Sequence, residues 1–311
     1  MIISIIGSGA LGKTYAGALA LTGQEVHYLV RGEFEALKKE GRYWIEDEVA
    51  LKTYEVDVPY LHHDPATLPA SDIVIIALKT TQNDQLASLL THCLKENSIV
   101  LIIQNGLGNE NKIAPLLQRA SIVSGISTIC AVRETPTLVK IPFMGELRLA
   151  PYRFTDKHSC QLLKDLFKKS PMFFGVKIFA HHQEIRWNKL FWNISFGPLS
   201  ILFNKPTRLL VTEEPCNSIL RQAIDEVVNI AQADGVVISK DLIEKTLAST
   251  KNMKDYFPSM YQDFHNNLPI EKDYILDEAL RIAKKKKVNA PILTLIDMQL
   301  SMLLEQRAVH C

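Results

Sequence analysis

The chain is 311 residues long, 47% hydrophobic and 22% charged, a composition that excludes disorder and fibrous repeats and supplies core enough for two domains. Lys and Arg number 35 against 34 Asp and Glu, a net charge of +1, so no long-range field recommends nucleic acid or an anionic membrane as a partner. The 5 cysteines, at 93, 130, 160, 216 and 311, form no C-x-x-C pair and no His/Cys group of zinc spacing; no metal is expected, and reduced thiols in a cytoplasm fit best.

The chain opens on MIISIIGSGALGK. This run lacks a basic n-region and is broken by glycines after Ile6, so it reads as neither signal peptide nor membrane span. It reads as a buried strand that delivers Gly7, Ser8, Gly9, Ala10, Leu11 and Gly12 to the start of a helix. In a G-x-G-x-x-G set of this kind the first glycine permits the turn and the second lets backbone approach a pyrophosphate. The third lets helix pack on strand, and the N–H groups of the helix N-terminus face the phosphates. Dinucleotide binding is therefore expected. The second strand, EVHYLV, runs straight into Arg31-Gly32. An arginine where NAD enzymes carry a ribose-binding acid suits a 2′-phosphate and favours NADP, while Glu33 is close enough to keep NAD open.

Further continuous apolar runs follow: DIVIIAL (72–78), SIVLII (98–103) and SIVSGI (121–126). Helical spacing occupies 11–21, 85–94 and 112–117, so strand and helix alternate as in a doubly wound α/β domain with a parallel sheet. TLVKIPF and ELRLAPY are more polar and are expected to extend the sheet antiparallel, before a helix over 158–169 and a last strand over 176–179. From His181 onward the chain reads as helices interrupted at Gly197-Pro198, Pro206, Pro215, Gly235, Pro258, Pro269 and Pro291. The expected fold is an N-terminal Rossmann-type doubly wound parallel sheet over 1–180, followed by an all-α domain over 181–311. Lys284 to Lys287 read as cations complementing the negative end of a helix dipole. In IRWNKLFWNISFGP (185–198), Lys189 and Asn193 fall on one helix face, one turn apart, in apolar and aromatic company.

Taken in order, GSGALG (7–12), Arg31, ALKTTQ (77–82), QNGLGN (104–109), NKLFWN (188–193), SMYQD (259–263) and EKDY (271–274) resemble the ketopantoate reductase (2-dehydropantoate 2-reductase) family. The resemblance implies an NADPH-dependent reductase that binds cofactor in the N-terminal domain and a small 2-keto acid against the helical domain. It implies that Gly7, Ser8, Gly9, Ala10, Leu11, Gly12, Arg31, Lys79, Asn105 and Glu271 contact NADP(H). It assigns Asn105, Lys189, Asn193 and Ser259 to substrate, with Lys189 and Glu271 catalytic. The chemistry agrees: reducing a ketone needs a hydride on carbon and a proton on oxygen, and a desolvated lysine both polarises the carbonyl and supplies the proton. On the residues alone, Lys79 reads as a loop lysine, Asn105-Gly106 as a turn, and Ser259 and Glu271 as solvated positions.

The sequence also departs from the family. A second asparagine is usual one turn beyond the first; here Gly197 stands in its place, which removes a contact to the hydroxyl-bearing end of ketopantoate and leaves another 2-keto acid open. Asp277 and Lys287 stand where glycines are usual, the latter predicting an αL helix cap strained by about 1 kcal/mol. Two other readings stay open. A dehydrogenase of a 3-hydroxy acid or polyol phosphate would need clustered cations, and Arg133, Arg186 and Arg208 are dispersed in sequence. A non-catalytic redox sensor could share the nucleotide-binding fold, but it has no need of Lys189, Asn193, Ser259 and Glu271 together. A homodimer is expected from the general frequency of such assemblies.

Overall fold

The computed structural model describes residues 1–117, 119–153, 156–172 and 174–309, and Cys311 lies outside them. Cys93, Cys160 and Cys216 are free thiols. The chain divides into two compact units, one of Met1–Gln104 with Asn109–Ile185, the other of Asn105–Gly108 with Arg186–Cys311.

The first unit begins with β1 (Ile2–Ile6), α1 (Ala10–Ala20), β2 (Glu25–Leu29) and α2 (Phe34–Glu40). There follow β3 (Arg42–Asp47), β4 (Lys52–Asp57), β5 (Tyr60–His62), β6 (Ser71–Ile76), α3 (Leu86–Leu90), β7 (Leu94–Ile102) and α4 (Asn109–Ile113). It ends with β8 (Ser121–Ser127), β9 (Cys130–Thr135), β10 (Leu138–Phe143), β11 (Glu146–Pro151), α5 (Lys157–Phe167) and β12 (Gly175–Ile178). The main sheet has the order β12-β11-β8-β7-β6-β1-β2-β5. Every pair in it is parallel except β8 with β11.

The continuous apolar runs are explained by burial on both faces. Ile73, Ile75 and Leu101 enter one core with Tyr15, Leu19, Leu163 and Phe167, while Val74, Ile76, Val100 and Ile102 enter another with Leu86, Leu89 and Ile113. Because successive strand side chains point to opposite faces, a strand covered on both sides has no polar positions to spare. The expected helix over 85–94 is shorter than its spacing suggested. A 3-10 turn occupies Thr80–Gln85, α3 covers only Leu86–Leu90, and Leu94 already begins β7.

A second sheet, β4-β3-β10-β9, corrects the expectation for TLVKIPF. ELRLAPY does extend the main sheet antiparallel, as β11 beside β8, but β10 pairs instead parallel to β3 and antiparallel to β9. The physical reason is its one-sided burial: Val139 and Ile141 are buried while Pro142 and Phe143 are exposed, which suits a sheet covered on one face. That covered face meets α1 at Gly17, where an added Cβ would lie 2.7 Å from Ile45 Cδ1.

The second unit is helical: α6 (His182–Phe203), α7 (Thr207–Thr212), α8 (Cys216–Ala233), α9 (Lys240–Lys251), α10 (Ser259–His265), a π-turn at Asp273–Asp277, α11 (Glu278–Lys286) and α12 (Pro291–Val309). Its core gathers Leu190, Ile194, Phe196, Leu220, Ile224, Val227, Leu293 and Leu300. Pro206, Pro215 and Pro258 precede α7, α8 and α10 as expected, but α6 runs straight through Gly197-Pro198. Proline removes one N–H from the ladder there. The buried flanks Ile194, Phe196, Leu199 and Ile201 hold the helix on course through core packing. Lys284, Lys285 and Lys286 fill the last turn of α11, and Lys287 caps it in the left-handed region (φ 59°, ψ 37°). Among the described residues no helix is long and apolar enough to cross a membrane.

Candidate active site

The glycine loop lies where the order of the main sheet reverses, since β1 has β2 on one side and β6 on the other. Gly7 has φ +102°, and a Cβ there would fall 2.5 Å from the Leu78 amide nitrogen. At Gly12 a Cβ would lie 2.0 Å from the Gly7 carbonyl oxygen, so the third glycine closes helix onto loop. Gly9 differs: an added Cβ meets nothing within 4 Å, and as N-cap of α1 it brings no side-chain hydrogen bond. The first turn of α1 carries no acidic residue. An uncapped helix N-terminus beside open space fits the pyrophosphate of a dinucleotide. Ser8 anchors the loop, its hydroxyl donating to the Leu29 carbonyl at 3.0 Å, while Ala10 and Leu11 begin the helix.

Past the end of β2, Arg31 is exposed and donates to the Gln85 side-chain oxygen. Glu33 accepts both Lys13, at 0% side-chain exposure, and Arg133 of β9. Burial draws the Lys13 ammonium below its ordinary pKa range, with Glu33 opposing the shift. Lys79, exposed, caps the 3-10 turn that follows β6. Beside it the buried Gln104 donates to the Leu78 carbonyl (3.0 Å) and to the Asn83 amide oxygen (2.7 Å), tying the ends of β6 and β7 together.

The helical unit holds the other candidates. Lys189 on α6 donates to Asn105 Oδ1 at 2.7 Å across 84 residues of sequence. Asn105 is fixed by its own loop. Gly106 has φ +98°, and a Cβ there would lie 2.6 Å from the Tyr274 carbonyl oxygen; that carbonyl accepts the Leu107 amide at 2.7 Å. Arg186, 1% exposed and one turn before Lys189, donates to the Gly106 carbonyl at 3.3 Å. The aromatic company of the lysine is structural: Trp187 donates to Asp234 at 3.0 Å, and Trp192 stacks on Phe196.

Asn193, one turn beyond Lys189, has a buried Oδ1 that accepts no hydrogen bond among the described residues. Glu271 is 8% exposed, not solvated, and stands just before the π-turn. Ser259 opens α10 and is exposed. Gly197 faces Met260, whose Sδ would lie 3.3 Å from an added Cβ, so a thioether fills the place next to the absent asparagine.

Sequence reasoning missed Arg186, Tyr274, Lys13 and Arg133. Arg186 and Arg133 were passed over as dispersed cations, and only the fold brings each to a partner 80 or more residues away. Gly106 was the available signal: in a loop it asks for a positive φ and a close neighbour.

Known proteins resemble the chain over most of its length. Residues 3–153 match the family "Ketopantoate reductase PanE/ApbA" and residues 181–303 its C-terminal family, "Ketopantoate reductase PanE/ApbA C terminal". A 2-dehydropantoate 2-reductase of Nostoc sp. is 31% identical over 309 residues, covering 96% of this chain and 94% of the relative. The crystal structure of 2-dehydropantoate 2-reductase from Methylococcus capsulatus superposes with a TM-score of 0.87 at 28% identity, covering 99% of this chain and 97% of that one. The corresponding structure from Geobacter metallireducens gives 0.91 at 26%, covering 97% and 100%. With both halves of its sequence matched in order and the whole fold superposed, the chain belongs to the ketopantoate reductase family of oxidoreductases.

Proposed function

We propose that the protein reduces a 2-keto acid with NADPH, and that the substrate is 2-dehydropantoate (ketopantoate), giving pantoate for pantothenate biosynthesis. The observation that carries the reading is the 2.7 Å hydrogen bond from Lys189 to Asn105, with the unpartnered amide oxygen of Asn193 one turn along. When bound at the glycine loop, NADPH supplies the hydride. Lys189 polarises the ketone and gives its proton to the developing alkoxide, and the Asn105 amide oxygen holds the ammonium in position. The Asn193 amide N–H groups orient substrate oxygens, and the Ser259 hydroxyl donates to the substrate carboxylate. Glu271, Asn105 and Lys79 contact the cofactor, and Arg31 takes the 2′-phosphate.

The names of the relatives support ketopantoate as substrate. The thioether of Met260 beside Gly197 makes that part of the wall apolar, which relaxes selection for a substrate hydroxyl. The free thiols of Cys93, Cys160 and Cys216 fit a reducing cytoplasm, which we propose as the compartment. A homodimer completes the proposal, supported by exposed Leu295, Met298 and Met302 along α12, and light scattering of the eluted protein tests it. Turnover is tested by following NADPH absorbance with a panel of 2-keto acids. Ketopantoate should give the highest kcat/KM, and no turnover with any member would sink the reading.

A further inference from the structure

We propose that Arg133 sets the coenzyme preference, by engaging the Glu33 carboxylate so that the site favours a 2′-phosphate over a 2′-hydroxyl; the inference rests on the NADPH reading above. Glu33 stands two residues past Arg31, at the N-cap of α2, in the stretch where a carboxylate accepts from ribose hydroxyls in NAD-selective folds. Here both of its oxygens are engaged: Oε2 faces the Lys13 ammonium and Oε1 the Arg133 guanidinium. Glu33 is 12% exposed, which leaves a ribose little access to the remaining lone pairs.

The two cations differ in kind. Lys13 leaves α1 directly after Gly12, is fully buried, and also donates to the Pro136 carbonyl between β9 and β10, so it is a fixed part of the wall. Arg133 reaches Glu33 from the second sheet and is 51% exposed, with no partner besides Glu33 among the described residues. Its remaining N–H donors are open to a ligand. Two cations against one carboxylate leave the cluster positive, and Arg31, two residues before Glu33 in sequence and bound to the uncharged Gln85, adds a further positive charge. A 2′-phosphate gains from that field; a 2′-hydroxyl gains nothing and finds its usual acceptor occupied.

Removing Arg133 therefore acts in opposite directions on the two coenzymes, whereas a merely structural role would weaken both alike. The test is the dissociation constants of the purified full-length protein for NADPH and NADH, by titration of cofactor fluorescence. In Arg133→Met, NADPH should weaken by about two- to fivefold, the range of a half-exposed charge contact, and NADH should tighten. Arg133→Lys, which keeps the charge, should hold the NADPH/NADH ratio within about twofold of the parent. Parallel loss for both coenzymes, or an unchanged ratio in Arg133→Met, would overturn the proposal. A parent protein that binds NADH more tightly would remove the NADPH reading itself, while the ratio change in Arg133→Met would still decide the part played by Arg133.

Discussion

Lys189 is held by an amide that no local pattern connects to it. On α6 alone it was indistinguishable from a lysine snorkelling at a helix surface; its partner Asn105 lies 84 residues earlier, in a segment that read as an ordinary turn. The family motifs in their order, not the residues singly, pointed to Lys189 and to Asn105, while their contact was legible only in the fold. If Lys189 delivers the proton, Lys189→Ala should keep NADPH affinity within about twofold and lower kcat by roughly 10²- to 10⁴-fold, as read by cofactor fluorescence and steady-state rates. Turnover equal to that of the parent would remove the lysine from the chemistry. The glycine loop was easier to read, because its demands are local. A turn, a close approach and a tight helix start all fall within Gly7 to Gly12.

The strands buried on both faces announced themselves, since β6 and β7 bury nearly unbroken apolar runs. β3, β4 and β9 did not, and β10 was read as a strand but given to the main sheet, because a strand such as KTYEVD buries one residue clearly and exposes most of the others. Pairing in that second sheet depends on partners far along the chain, which a local window cannot supply. At the start of α12 a carboxylate from α8 serves as cap: Glu226, 9% exposed, accepts the amides of Ile292 (2.9 Å) and Leu293 (2.8 Å). Glu226→Ala leaves the buried Leu293 amide and the part-buried Ile292 amide without acceptor and should cost about 1–3 kcal/mol in urea unfolding. The π-turn yields a pH-dependent expectation. Burial raises the Asp277 carboxyl to about 6, opposed by Lys272 and reinforced by Asp273 and Asp297. A native pKa above the ordinary 3.8 means that the folded state holds the proton more tightly, so this contribution to stability is full below that value and lost as pH rises through about 6. Asp277→Asn fixes the neutral form. Relative to the parent its urea midpoint should improve between about pH 4 and about pH 8, and a gap moving the other way would contradict the assignment.

For the molecule as a whole, cofactor binding should appear as stabilisation of the unit that carries the glycine loop. At about 100 times its Kd a ligand adds about 2.7 kcal/mol, which for a unit of this size raises the midpoint by roughly 5–10 °C. NADH at the same concentration should raise it less; equal shifts in a thermal melt would argue against selectivity for the 2′-phosphate. Composition and the alternation of runs were enough to read the α/β sheet and the helical remainder. What they could not show is that Asn105 to Gly108, from the first half of the sequence, pack as part of the helical unit. Leu107 bonds to Tyr274, Gly106 admits it without a side chain, and Asn105 meets Lys189. The two halves are thus not interchangeable cassettes. A chimera joined by a single cut near residue 180 would seat one parent's Asn-Gly-Leu-Gly plug in the other's socket. Compatibility of those four residues with Arg186, Lys189 and Tyr274 then becomes the condition under which lineages can exchange domains and keep a working enzyme.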